Sequence, residues 1–257
     1  MAFYQAGDSR VHRLNPVTKL VFALVLIIAA FAINVVWWPA VLWLVLLPAV
    51  AASGVFRPFM SRTLRYFIPF IALIFLAQGL FYPEGGPVLF HLGPLSVKVN
   101  GLLFAAQTAL RLLVLIDAFL FLLLTTHPGL LMSALTERGM PPNISYVVSA
   151  TLQIIPTFRA RAQGILQAQR ARGLDTGGGG PIRRTRSLVP LVAPLVLGSL
   201  TDVEERAVAM EARAFGAPGR RTSLAEIPDS AAQKAARWLM WAFAAATLVA
   251  NALGVVS

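Results

Sequence analysis

Two short stretches, Ala171-Arg172-Gly173 and Ala212-Arg213-Ala214, each set an arginine between small residues, about forty positions apart. A guanidinium is a rigid fork of donors that grips a carboxylate or phosphate in bidentate fashion, which lysine cannot copy. Small neighbours let a partner's backbone come close. Conventional catalytic equipment is sparse. There are no cysteines, hence no disulfide, thiolate nucleophile or thiolate metal site. The three histidines, His12, His91 and His127, are scattered, whereas a metal or acid–base site needs convergent ligands. Asp202, Glu204 and Glu205 form the densest acidic group. Gly177 to Gly180 lead into Pro181-Ile182-Arg183, without the Lys-Ser/Thr ending that a phosphate loop requires, so they read as a linker.

The elements that must carry the arginines are apolar. Of 257 residues 57% are hydrophobic and 13% charged, where a soluble domain has about 25% charged. A membrane-spanning helix needs roughly 20 apolar residues. Five candidates run over 16–33, 35–56, 64–82, 101–124 and 238–256. Trp37, Trp38 and Trp43 gather toward one end of the second, where an interfacial belt would lie. The polar residues 1–16 do not resemble a cleaved leader. The segment 83–100 has room for a short hairpin.

Net charge is +11, and its distribution follows topology, so nucleic acid is not the expected partner. Arg10, Arg13 and Lys19 precede or open the first span, and Arg57, Arg62 and Arg65 fall in the expected loop between the second and third. Fourteen of the 22 basic residues lie within 125–237, whereas the first connection and the tail after Arg237 carry none. The positive-inside bias therefore predicts a cytoplasmic N-terminus, a cytoplasmic block at 125–237 and an external C-terminus.

Within that block three helices are expected: 128–138, 143–172 and 182–214. Asn143 is a plausible N-cap and Gly173 a plausible stop for the second. Its apolar residues, among them Ile144, Val148, Ile155, Phe158 and Ile165, keep a three–four spacing, with Arg161 and Arg170 on the opposite side and an interruption expected at Pro156. Pro190 and Pro194 are expected to kink the third, whose 14-residue apolar centre, 187–200, is short for a span. Spacing predicts an internal Asp202–Arg206 pair that leaves Arg213 at the tip. In the fourth span Arg111 and Asp117 stand six residues apart, on different sides of a helix, so they are not expected to pair with each other: Asp117 is expected to bond a neighbouring helix or the coupling helices and Arg111 to snorkel or pair elsewhere, a proton or substrate relay being the alternative.

GDSRVHRLNPVTKL (7–20), Ala171-Arg172-Gly173, the Pro-Leu-x-x-Pro-Leu run at Pro190 to Leu195, and AMEARAFG (209–216) together resemble the transmembrane T component of energy-coupling factor transporters. One position departs from that pattern: Ala214 stands where the family usually has glycine. The resemblance implies an all-α polytopic membrane protein of a bacterial or archaeal plasma membrane. It would have four transmembrane helices in 1–124, coupling helices in 125–230, two of them long and crossing, and a last transmembrane helix in 231–257.

The resemblance further implies that Ala171, Arg172, Gly173, Ala212, Arg213 and Ala214 dock two ABC-type ATPase subunits. A small membrane-embedded substrate-binding subunit would contact Ile144, Val148, Ile155, Leu188, Val192 and Leu195. The chain itself would be non-catalytic and bind no cofactor or metal, ATP and Mg belonging to the partners, and the cargo would be a vitamin or a transition-metal ion. A second reading stays open on the residues alone: a polytopic enzyme acting on a lipid or lipid-phosphate substrate at the cytoplasmic face, using the basic block for phosphate.

Overall fold

The computed structural model describes residues 5, 7, 9–81, 87–92, 95–173, 189–216 and 227–254. The glycine linker, residues 182–188 of the third expected cytoplasmic helix including Leu188, and Asp8 lie outside them. Two compact units emerge: residues 1–134 with 225–257, and residues 135–224.

The first unit holds α1 (Pro16–Ala32), α2 (Trp38–Ser53), α3 (Phe56–Phe81), α4 (Val99–Thr125), α5 (Pro128–Thr136) and α8 (Ala231–Ala252). Between α3 and α4 a short antiparallel hairpin pairs β1 (Val88–Leu92) with β2 (Leu95–Lys98), answering the open question at 83–100. α4 packs against α1, α2 and α3, and α8 packs against α1. Leu46, Val50, Phe59, Val114, Ala118, Phe121 and Leu124 form the centre, all 2% exposed or less. In a bilayer the lipid tails are as apolar as these side chains, so close packing and internal hydrogen bonds hold the helices together.

Those bonds are specific. Asp117 on α4 is fully buried; its Oδ2 accepts from Trp43 Nε1 of α2 at 2.7 Å and its Oδ1 from Thr63 Oγ1 of α3 at 2.6 Å. Arg111 Nη2, about one and two-thirds turns earlier on α4, donates to the Ile33 carbonyl at 2.9 Å and to Asn34 Oδ1 at 2.7 Å. As expected, the two charges serve different neighbours.

The N-terminal motif is a knot. Asn15 caps α1 through its side chain, which accepts from the Val17 N–H, while Pro16 fits the first turn, where its missing N–H costs nothing. Lys19 Nζ donates to the carbonyls of His12 and Thr125, tying the start of α1 to the end of α4. Gln233 Oε1 accepts from the Asn15 N–H, and Arg237 spans Thr18 Oγ1 and both oxygens of Asp229, which seats α8 on α1.

Several boundaries differ from the sequence reading. α3 starts at Phe56, so Arg57, Arg62 and Arg65 ride on its first turns and not in a loop. The chain turns at Gly54, φ 74°, and re-enters a helix at once because that buries Phe59. α8 begins at Ala231, seven residues before the expected span, capped by Ser230. Among the described residues, α3 and α4 alone are long and apolar enough, by length and composition, to cross a bilayer; α1 and α2 are apolar but have 17 and 16 residues.

The second unit holds α6 (Pro142–Ala171) and α7 (Val189–Ala212). α6 begins one residue before the expected Asn143 cap: Pro141 is the N-cap and Pro142 the first helical residue, its fixed φ suiting that turn. α6 also runs unbroken through Pro156, and α7 through Pro194. A proline costs a helix one hydrogen bond without necessarily ending it. No residue of α6 is buried.

Candidate functional site

α6 and α7 run antiparallel, as two contacts show. Arg161, midway along α6, donates from Nη1 and Nη2 to the two carboxylate oxygens of Asp202 on α7, at 2.8 and 3.1 Å. Tyr146, near the start of α6, stacks at a tilt on Phe215, just past the end of α7, with ring centroids 5.1 Å apart. This corrects the expected Asp202–Arg206 pair: Asp202 is committed across helices to Arg161. A guanidinium fork matches both carboxylate oxygens at once. Hydrogen bonds from Arg161, and then the charges of Arg161 and Arg206, hold the Asp202 carboxyl below its ordinary range; the same pair raises Arg161 further.

Gly198 makes the approach possible. A Cβ there would meet Arg161 Nη1 at 3.2 Å. Beside the pair opens a cavity of about 90 Å³ lined by Ile154, Phe158, Val203 and Arg206. The helices thus meet through an ion pair next to a gap, not through a packed apolar seam.

The two arginine motifs are the ends of this pair. Ala171 is the last residue of α6, Arg172 is its C-cap with φ −87° and ψ 10°, and Gly173 turns left-handed with φ 90°. Ala212 is the last residue of α7, the Arg213 N–H bonds the Met210 carbonyl, and Ala214 turns left-handed with φ 53°. All six motif residues are exposed. Ala214 is the one non-glycine residue with positive φ among those described. The methyl sits where its left-handed backbone costs roughly 1 kcal/mol relative to glycine. The task of the usual glycine is therefore a backbone turn directly after the arginine.

Arg172 lies eleven residues beyond Arg161, and Arg213 eleven beyond Asp202. Eleven residues make about three turns and 16 Å, so each motif arginine returns to the side of its helix that carries the ion pair. Because the helices are antiparallel, the two tips point away from the ion pair in opposite directions.

Of the residues expected to meet a membrane subunit, Ile144, Ile155 and Val192 are 50%, 45% and 56% exposed. Val148 and Leu195 are intermediate. Val147, Leu152, Val196, Leu197 and Leu200 extend these uncovered apolar faces. The histidines do not converge: His12 bonds Ser9 and the Gln5 carbonyl, and His127 accepts from the Gly129 N–H. Among the described residues no group of three or more His, Cys, Asp or Glu forms a metal-binding set. Sequence reasoning missed Arg237, which it counted as a loop charge. Its signal was Asp229, eight residues earlier, in a region otherwise poor in acids.

A family model described as cobalt transport protein matches residues 7–224. The energy-coupling factor transporter transmembrane protein EcfT of Thermosediminibacter oceani is 31% identical over 241 residues, 91% of this chain and 90% of its own length. Its counterpart in Bacillus subtilis is 34% identical over 226 residues, 84% and 85%. That in Heliobacterium modesticaldum is 33% identical over 226 residues, 84% of each. On matches of that extent, together with its helical membrane architecture, the chain belongs to the T-component family of energy-coupling factor transporters.

Proposed function

We propose that this chain is the non-catalytic coupling subunit of an ATP-driven importer, and that Arg172 and Arg213 are its two handles. The observation that carries this reading is their equivalence: two exposed arginines, each followed by a left-handed turn, each eleven residues past the Arg161–Asp202 pair, on antiparallel helices. Two like handles facing opposite ways fit two like partners, namely two ABC-type ATPase subunits that bind and hydrolyse ATP with Mg. Each guanidinium would enter a carboxylate-bearing groove, and the small residues beside it would let the helix end seat closely.

Motion imposed at the tips then reaches a separate membrane-embedded substrate-binding subunit through α6 and α7. Their uncovered apolar faces, including Ile144, Ile155 and Val192, suit such a neighbour. The cargo would be a vitamin or a transition-metal ion, selected by that neighbour. In this reading the N-terminus and the α6–α7 unit are cytoplasmic and the C-terminus is external, as the charge distribution favours. Asp202, the acid that a lipid-acting enzyme would have used, is engaged by Arg161.

The test is co-purification with the transporter's ATPases from cells carrying Arg172→Glu, Arg213→Glu or both. Each single reversal is expected to lose one ATPase and nearly all uptake, and the double to lose both. Assembly and uptake equal to wild type in the double variant refute the docking role.

A further inference from the structure

Two internal rulers measure how far the helices of the first unit extend, both counted from shared contacts. At the Asp117 level, α2 continues five residues beyond Trp43 to its first residue, Trp38, while α4 continues 18 residues to Val99. At the Lys19–Thr125 bond, α1 continues 13 residues to Ala32, and α4 continues 26 to Val99. At 1.5 Å per residue, either count leaves α4 overhanging the α1–α2 end by about 20 Å. α3 ends at Phe81, 18 residues past Thr63, and matches α4. The unit therefore has a step: α1 and α2 are about 25 Å long, short of a hydrocarbon core of about 30 Å, while α3 and α4 exceed it at about 40 Å.

Arg111 stands at the foot of that step. One nitrogen, Nη2, caps the Ile33 carbonyl and binds Asn34, and Phe31 lies under the guanidinium with its centroid 5.8 Å away. Nε is enclosed; Nη1 is not, and it has no protein partner among the described residues. Arginine carries donors only, so Asn34 must turn its oxygen to Arg111, which directs its amide NH₂ away from it. Asn34 is exposed, and Trp37, in the same connection, is 64% exposed, an aromatic of the kind that sits among headgroups. Capping a helix end uses one nitrogen. It leaves unexplained a second, outward nitrogen at a level where a short span forces the bilayer to thin.

We propose that Arg111 Nη1 and the Asn34 amide hold the phosphate of one phospholipid headgroup, drawn into the step from the leaflet that faces the α1–α2 connection. The phosphate completes the donors of the guanidinium and gives the short helices a local headgroup layer. The inference rests on the membrane embedding of α1 to α4 and is independent of the docking of Arg172 and Arg213.

The test uses the full chain in detergent, counting retained lipid by native mass spectrometry. The probes are phosphatidylglycerol and a galactolipid with the same acyl chains, with inorganic phosphate as competitor. Wild type is expected to retain one phosphatidylglycerol and no galactolipid, with inorganic phosphate failing to displace it. Asn34→Asp keeps a partner for Arg111 but sets a negative charge against the phosphate. It is expected to melt no lower than wild type and to bind the lipid about tenfold more weakly. Arg111→Gln is expected to lose it altogether. Wild-type retention in Asn34→Asp, equal retention of the galactolipid, or full displacement by inorganic phosphate overturns the proposal.

Discussion

The two units bury their polar groups to very different degrees. In the membrane unit Asp117, Arg111, Lys19 and Arg237 each bind two or more partners on other segments, and apolar side chains from several helices close around them. In the α6–α7 unit nothing on α6 is buried, and the Arg161–Asp202 ion pair and the Tyr146–Phe215 ring contact cross between the helices. On the proposed reading, the contrast separates a part that stays fixed from a part that partners hold.

The contrast breaks most visibly at Asp117. Asp117→Ala leaves Trp43 Nε1 and the Thr63 hydroxyl without their acceptor, and each orphaned buried donor costs about 1–3 kcal/mol. Thermal unfolding in detergent is expected to show a loss of roughly 2–5 kcal/mol. Asp117→Asn keeps one acceptor oxygen and should lose less. A variant as stable as wild type would mean that the three helices are held by packing alone.

In the other unit the Arg161–Asp202 pair is half-exposed, so its effect belongs to function more than to folding. Arg161→Asp sets two carboxylates against each other and is expected to abolish most uptake while ATPase association survives. The exchange Arg161→Asp with Asp202→Arg restores the pair and should recover uptake. Failure of the exchange, with both proteins folded, would remove the ion pair from the mechanism.

Acid offers a gentler probe of the same contact. The folded Asp202 carboxyl is held below its ordinary value by Arg161, so the pair contributes fully above the usual carboxylate range, near pH 4. That contribution fades as pH falls through the lowered folded value. Hydrogen exchange in α6 and α7 is therefore expected to be level between pH 6 and 8, to rise on acidification below about pH 4, and to lose that dependence in Asp202→Asn. An identical acid profile in Asp202→Asn would assign the change to other groups.

What was legible in the sequence follows the range of the forces involved. Runs of apolar residues and their breakers located α1, α2, α4 and α6 to within a few residues, and Gly173 marked a turn, because those signals are local. The separate partners of Arg111 and Asp117 also followed from helical geometry. The Asp202 partner did not: spacing offers Arg206 four residues away, and only the antiparallel approach of α6 brings in Arg161. The equal eleven-residue offsets of Arg172 and Arg213 acquire meaning only once that crossing is known. Arg237 was misread for the same reason. A charge count places it on a side of the membrane, whereas Thr18, a contact 219 positions away, determines what it does.

The smallest expected effect lies at the residue that follows each arginine, glycine at one tip and alanine at the other. Gly173 takes φ 90° freely, whereas Ala214 takes φ 53° with a methyl that strains the turn. Ala214→Gly gives both tips a glycine in the left-handed turn. Relief of the left-handed strain contributes about 1 kcal/mol, and part of it is offset by the greater freedom of glycine in the unfolded chain. The expected net change in melting is at most a small rise, with uptake and ATPase association preserved. Ala214→Val is the informative opposite, because a β-branched residue resists positive φ and must unwind the turn beneath Arg213. It should weaken docking at that tip alone, leaving the ATPase at Arg172 bound. If Ala214→Val binds both ATPases like wild type, the turn after the arginine is incidental and the guanidinium alone makes the handle.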